Sequence, residues 1–183
     1  MLELKDAALT LGGRLLFGNL SFMALDGQIT CITGSAGSGK TVLLQALLGL
    51  LALDEGLVSI DGELLTPLSA PTFRRMMAYV PQKVNANLKT NLNANSDTEG
   101  LETVWAPYNS RRYQLTAIEE PLNLAPVASK AVIIADDPDD TTWGTLQKLA
   151  SAGRVVVAAT TREEFLNLSD KIITLGKHDT VVY

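Results

Sequence analysis

Gly34-Ser-Ala-Gly-Ser-Gly-Lys-Thr41 carries the clearest chemistry in this chain. It matches the pattern G-x-x-x-x-G-K-[ST] at Gly34, Gly39, Lys40 and Thr41. Glycine at Gly34, Gly37 and Gly39, with the small residues Ser35, Ala36 and Ser38 between them, leaves backbone N–H groups free to curl around an anion. A helix starting at Lys40 adds its partial positive charge to the loop. Lys40 supplies a point charge for the β- and γ-phosphates of a nucleotide, and Thr41 a hydroxyl for Mg²⁺. Such a loop needs an acidic partner at the end of a neighbouring strand. Val132-Ile-Ile-Ala-Asp136 provides it, with Asp136 placed for Mg²⁺ through water and Asp137 a candidate general base. A solvated acidic turn accounts for Asp139 and Asp140.

These residues need strands and helices to hold them. Gln28–Thr33 is apolar and β-rich, so it reads as a buried strand leading into the loop. Val42–Leu51 is apolar nearly all round and reads as a helix buried on most sides. Residues 2–9, Leu20–Leu25, Leu57–Ile60, Met76–Val80, Ala131–Ala135, Val155–Ala159, Lys171–Leu175 and Thr180–Tyr183 read as further strands. Asp26-Gly27 and Asp61-Gly62 are hairpin-type turn signals. Thr142–Ala152 puts Trp143, Leu146, Leu149 and Ala150 on one helical face, with Gly153 as its cap, and Arg162–Leu168 is a short helix. Lys83–Gly100, with asparagine at 85, 87, 91, 93 and 95, reads as loop or frayed helix, and Ser110–Glu120 as a helix ended by Pro121. Strands alternating with helices predict an α/β fold with parallel strands.

With the loop in that setting, the chain resembles the ATP-binding cassette of ABC transporters along nearly its whole length. Leu9–Phe22 followed by Asp26-Gly27 is similar to that family's opening β-subdomain, and Gly56–Gly62 to its next strand and turn. Phe73–Gln82, ending Tyr-Val-Pro-Gln, resembles its Q-loop entrance. The resemblance implies a P-loop NTPase: a three-layer core, an N-terminal antiparallel β-subdomain and a reduced helical subdomain at about 83–125, all within one domain of residues 1–183. It implies ATP and Mg²⁺ as ligands. Gln82 would contact Mg²⁺ and the attacking water and relay motion to a membrane subunit. The partners implied are a transmembrane permease subunit, a second cassette or a second copy of the chain, with a place at the cytoplasmic face of the membrane.

Several positions depart from the family pattern. The signature loop is missing; Pro107–Gln114 stands in its place, with Asn109 or Ser110 for its serine and Arg111 or Arg112 for a glycine. The catalytic glutamate is Asp137, one methylene shorter. The switch histidine falls at Thr161, which can hydrogen-bond a γ-phosphate but carries no charge. Leu11 takes the place of the aromatic that stacks on adenine, Phe17 matching a core position better. The interval from Gln82 to Asp136 is short for the family's helical subdomain. Slow hydrolysis is therefore expected.

The 183 residues suffice for a core without staples. A net charge of −5 gives no support for nucleic acid or a polybasic membrane anchor. The opening Met-Leu-Glu-Leu-Lys-Asp lacks a signal peptide's apolar stretch, which favours a cytoplasmic setting. Lone Cys31 reads as a buried small hydrophobe, and one Cys with one His, His178 in a turn, makes no zinc site. Low charge (19%) and a mean hydropathy of +0.16 fit an apolar patch for a partner. Arg74 and Arg75 read as a solvated face, and Trp143 as core rather than interface; Trp105 fits either packing or a partner. A nucleotide-binding regulator or scaffold without transport turnover is the competing reading. A kinase or GTPase is disfavoured by the absence of an Asn/Thr-Lys-x-Asp motif and of an Arg-rich lid.

Overall fold

The computed structural model describes residues 1–82, 129–176 and 181–182. Outside these lie the Asn-rich stretch, the helix expected at Ser110–Glu120, the 83–125 subdomain, Pro107–Gln114, Trp105 and His178.

Two sheets divide the described residues. In the first, β1 (Leu2–Leu11), β2 (Arg14–Ala24), β4 (Glu55–Ile60) and β5 (Glu63–Leu64) pair antiparallel in the order β2-β1-β4-β5. In the second the order is β10-β9-β3-β8-β7-β6, formed by β3 (Ile29–Gly34), β6 (Met77–Val80), β7 (Val132–Asp136), β8 (Val155–Ala159), β9 (Lys171–Leu175) and β10 (Val181–Val182). Its strands run parallel except for β10, which is antiparallel to β9. Among the described residues, four helices pack on this frame: α1 (Lys40–Leu47), α2 (Ala70–Met76), α3 (Asp140–Ser151) and α4 (Glu163–Asn167).

Side chains alternate between two covered faces, so β7 up to Asp136 and the whole of β8 are apolar and buried. Val132, Ile134, Val155, Val157 and Ile32 face one core layer, which they share with the inner side chains of the first sheet, the α1 leucines and Phe73 of α2. Ile133, Ala135, Val156, Ala158 and Cys31 face the opposite layer, closed by Trp143, Leu146 and Leu149 of α3 and Phe165 of α4. Trp143 stacks on Phe165 with ring centroids 4.4 Å apart, so it is a core residue as expected. Phe17 is buried in the first layer. Burial also pushes the Cys31 thiol up to about 11, consistent with a small buried hydrophobe.

Three expectations need correction. Asp26-Gly27 is not a hairpin: it carries the chain from β2 in one sheet to β3 in the other, whose two edges are taken by β8 and β9. The hairpin after β1 turns instead on Gly12-Gly13, both with positive φ, between paired Leu11 and Arg14. Asp61-Gly62 does join paired strands, Ile60 facing Glu63. Arg74 is not solvated: it is buried and donates from Nη1 to the Gly49 carbonyl, 3.0 Å away, just past the end of α1. Desolvation lowers its pKa. Finally, β7 is not the immediate neighbour of β3, because β8 lies between them.

Candidate functional site

The loop between β3 and α1 is shaped by its glycines. Gly34 has φ +147°, and a Cβ there would come within 2.6 Å of the Leu175 carbonyl and 2.7 Å of Ser38 Oγ. Only hydrogen fits, so the loop can fold tightly against the end of β9. Gly39 caps α1 in the left-handed region (φ 97°), and no side chain accepts from the first-turn N–H groups. Those donors are the ones a helix leaves for an anion. Lys40 arches back over the loop and donates from Nζ to the carbonyls of Gly34 (2.8 Å) and Ser35 (3.1 Å). Ser38 Oγ is buried without a hydrogen-bond partner. A buried hydroxyl left unpaired is costly, and a phosphate oxygen would satisfy it. The donor set thus fits a nucleotide's phosphates.

The second half comes from the carboxyl ends of the parallel strands. Pairing of Asp136 with Ala159, and of Ile32 with Ala159, brings the ends of β3, β8 and β7 level. Although β8 intervenes, Thr41 Oγ1 donates to Asp136 Oδ2 at 2.8 Å. A hydroxyl and a carboxylate at that spacing are oxygen donors of the kind a divalent cation takes. Asp136 is 7% exposed. Burial raises its pKa, with adjacent Asp137 adding to the rise, while the Thr41 hydrogen bond and Lys40 oppose it. Tyr79 on β6 is pushed up to about 12 by burial and by the Asp136 charge, so it stays a neutral phenol beside the site.

Asp137 follows in the left-handed region with φ 45°, its N–H donating to the Ala159 carbonyl at 2.8 Å. Its carboxylate meets the segment just past β6, where Gln82 Nε2 donates to Asp137 Oδ2 at 2.9 Å. Asp139 is more than a solvated acid. It caps α3, its carboxylate accepting from Thr142 N at 2.8 Å. Thr160 is buried and Thr161 exposed at the end of β8.

Gly34–Thr41, Asp136, Asp137 and Gln82 therefore form one cluster. Among the described contacts, none joins Leu11 or Thr161 to the phosphate loop. Leu11 is half-buried against the first core layer. The side chain that reaches the loop from the first sheet is Leu16, whose Cβ would lie 3.2 Å from a Cβ on Gly39. Leu16 belongs to no motif in the sequence. The alternation along β2 was the available signal.

A family model described as "ABC transporter" matches residues 17–160. The chain belongs to that family. Curated relatives include an intermembrane phospholipid transport ATP-binding protein, MlaF, of Escherichia coli K12. It is 35% identical over 83 residues, which make up 45% of this chain and 29% of the relative. The energy-coupling factor transporter ATP-binding protein EcfA1 of Oenococcus oeni is 25% identical over 86% of this chain and 69% of its own length. The alignments with MlaF and with two Fe(3+) ion import ATP-binding proteins cover less than a third of those proteins. Among solved structures, an ATP-binding subunit of an ABC transporter matches with a TM-score of 0.70 and 16% identity over 100% of this chain and 89% of that one. A dimeric ATP-binding cassette in a post-hydrolysis state, bound to ADP and Pi, matches with a TM-score of 0.68 and 19% identity over 100% and 98%. The fold is that of the ABC ATPases, with an antiparallel β-subdomain beside a parallel core sheet. No helix among the described residues is long and apolar enough to cross a membrane.

Proposed function

We propose that this chain is the Mg·ATP-binding subunit of an ABC-type transporter, hydrolysing ATP slowly. The observation that carries this reading is the Thr41–Asp136 hydrogen bond, which ties the P-loop helix to the carboxylate at the tip of β7. Gly34, Ser35, Ala36, Gly37, Ser38 and Gly39 would cradle the phosphates through backbone N–H groups. Lys40 would exchange its carbonyl partners for phosphate oxygens. Thr41 and Gln82 would hold Mg²⁺, with Asp136 reaching it through water; the ion neutralises phosphate charge. Leu11 is proposed for the base side and Thr161 for the γ-phosphate.

Slow turnover is supported by the site's own residues. Asp137, the proposed base, is one methylene shorter than a glutamate, and a 1 Å misplacement costs about 100-fold in rate. Its Oδ2 already accepts from Gln82, so the carboxylate is engaged rather than free to orient water. The same contact favours the second reading, a regulator that responds to ATP without transport turnover. A permease subunit, a second cassette or a second copy of this chain is the proposed partner, at the cytoplasmic face of the membrane. Residues 83–125 are proposed as a reduced helical subdomain of a single 1–183 domain.

The test is titration with a fluorescent ATP analogue in the presence of Mg²⁺, using the parent chain and Lys40→Ala. Saturable binding by the parent, weakened at least about tenfold in the variant, is expected. No binding by the parent overturns the reading. ATPase measured with and without membranes carrying the permease then separates the transporter subunit from the regulator.

A further inference from the structure

Thr161 sits on a short bridge pinned at both ends. On one side, buried Thr160 donates its N–H to the Ile32 carbonyl at 3.0 Å, fixing it to the P-loop strand. On the other, Arg162 N donates to Thr160 Oγ1 at 3.2 Å, and the Arg162 carbonyl accepts from Phe165 N and Leu166 N at 3.1 Å each. The Arg162 side chain reaches further. Its guanidinium lies 4.1 Å above the Phe165 ring, and Phe165 in turn stacks on Trp143 of α3. Arg162 Nη2 pairs with Asp140 Oδ1 at 2.8 Å and also with Glu164. Asp140 opens α3, immediately after Asp139 and three residues beyond Asp137.

An exposed ion pair alone contributes little. Here the cation is also stacked on an aromatic, and the aromatic belongs to the core, so three contacts restrain one planar group. We infer that Arg162 is a positioning residue: it staples the loop carrying Thr161 to the segment at the carboxyl end of β7 that carries Asp136 and Asp137. The inference rests on the nucleotide-binding reading above. Arg162 touches no phosphate in this role. It fixes the spacing of two loops that would meet the γ-phosphate, so its effect should distinguish nucleotides that have that phosphate from those that lack it.

The experiment compares the affinity of a slowly hydrolysed ATP analogue with that of ADP, both with Mg²⁺, by calorimetry on the parent chain, Arg162→Ala and Arg162→Lys. Circular dichroism and thermal unfolding check the fold of each. The expected result is a loss of about tenfold for the ATP analogue in Arg162→Ala with ADP changed less than about twofold, and recovery of most of the loss in Arg162→Lys, which keeps the charge over the ring. Equal weakening of both nucleotides marks a merely structural residue and overturns the inference. So does an unchanged ratio of the two affinities, or a ratio altered as much in Arg162→Lys as in Arg162→Ala. If the parent binds neither nucleotide, it is the nucleotide-binding reading that fails.

Discussion

Thr41 and Asp136 are 95 positions apart in the chain and 2.8 Å apart in space. Their contact spans an intervening strand, since β8 separates β3 from β7. The helix that starts at Lys40 must lean over the sheet's carboxyl edge for the hydroxyl to reach. The bond therefore records the packing of α1 on the sheet as well as the identity of the two side chains.

Asp136→Asn separates the stability of this site from its proposed use. Burial raises the Asp136 pKa, so the folded state favours the protonated acid. That contribution is present in full below the carboxyl's unfolded value and is lost as pH rises through the folded value. The asparagine variant lacks this loss. It should be more stable than the parent at neutral pH and equally stable in acid, as read by urea unfolding across pH. The Mg²⁺ dependence of nucleotide binding should weaken about ten- to hundredfold in the same protein.

Asp137→Glu extends the carboxylate by one methylene at a position held in the left-handed region. If its length limits the water-orienting step, turnover should rise on the order of tenfold or more. A coupled phosphate-release assay reads it. Unchanged turnover would mean that the shorter carboxylate is not the limit.

Gly34→Ala places a methyl against the Leu175 carbonyl and Ser38 Oγ, in a backbone conformation that side chains resist. Either β9 or the loop must give way. Unfolding free energy should fall by about 2–4 kcal/mol, and nucleotide affinity should fall with it. Denaturant titration and ligand titration measure the two.

Arg74→Ala removes a buried donor from the Gly49 carbonyl at the end of α1. The carbonyl loses that partner and a buried aliphatic stem goes too. Destabilisation of about 1–3 kcal/mol is expected. The ratio of ATP-analogue to ADP affinity should be unaffected, because the contact lies at the far end of α1 from Lys40.

The site was legible in the sequence wherever local pattern dictates geometry. Gly34, Gly39, Lys40 and Thr41 stand at fixed offsets, and the apolar Val132–Ala135 run forces Asp136 to the strand's end. What escaped were relations that depend on which element lies beside which. Asp26-Gly27 has the composition of a hairpin but joins two sheets, because strand pairing is non-local. Gly12-Gly13 made the actual hairpin. Arg74 looks like surface until α2 is packed against the end of α1. Asp139 reads as part of an acidic turn, yet its distance from Thr142 N makes it a cap. Leu16 reaches the loop only because the first sheet leans on the second.

The order of strands in the second sheet also governs how the protein is made. β3, which leads into the phosphate loop, finds both of its neighbours, β8 and β9, near the other end of the sequence. The first sheet, by contrast, draws all its strands from the first 64 residues. As the chain leaves the ribosome, the antiparallel sheet can close early, while Ile29–Gly34 waits with bare edges until residues beyond 155 emerge. During synthesis the nucleotide loop therefore has no rigid base, and nascent chains truncated before β8 should be unable to retain a nucleotide and prone to associate through the open strand.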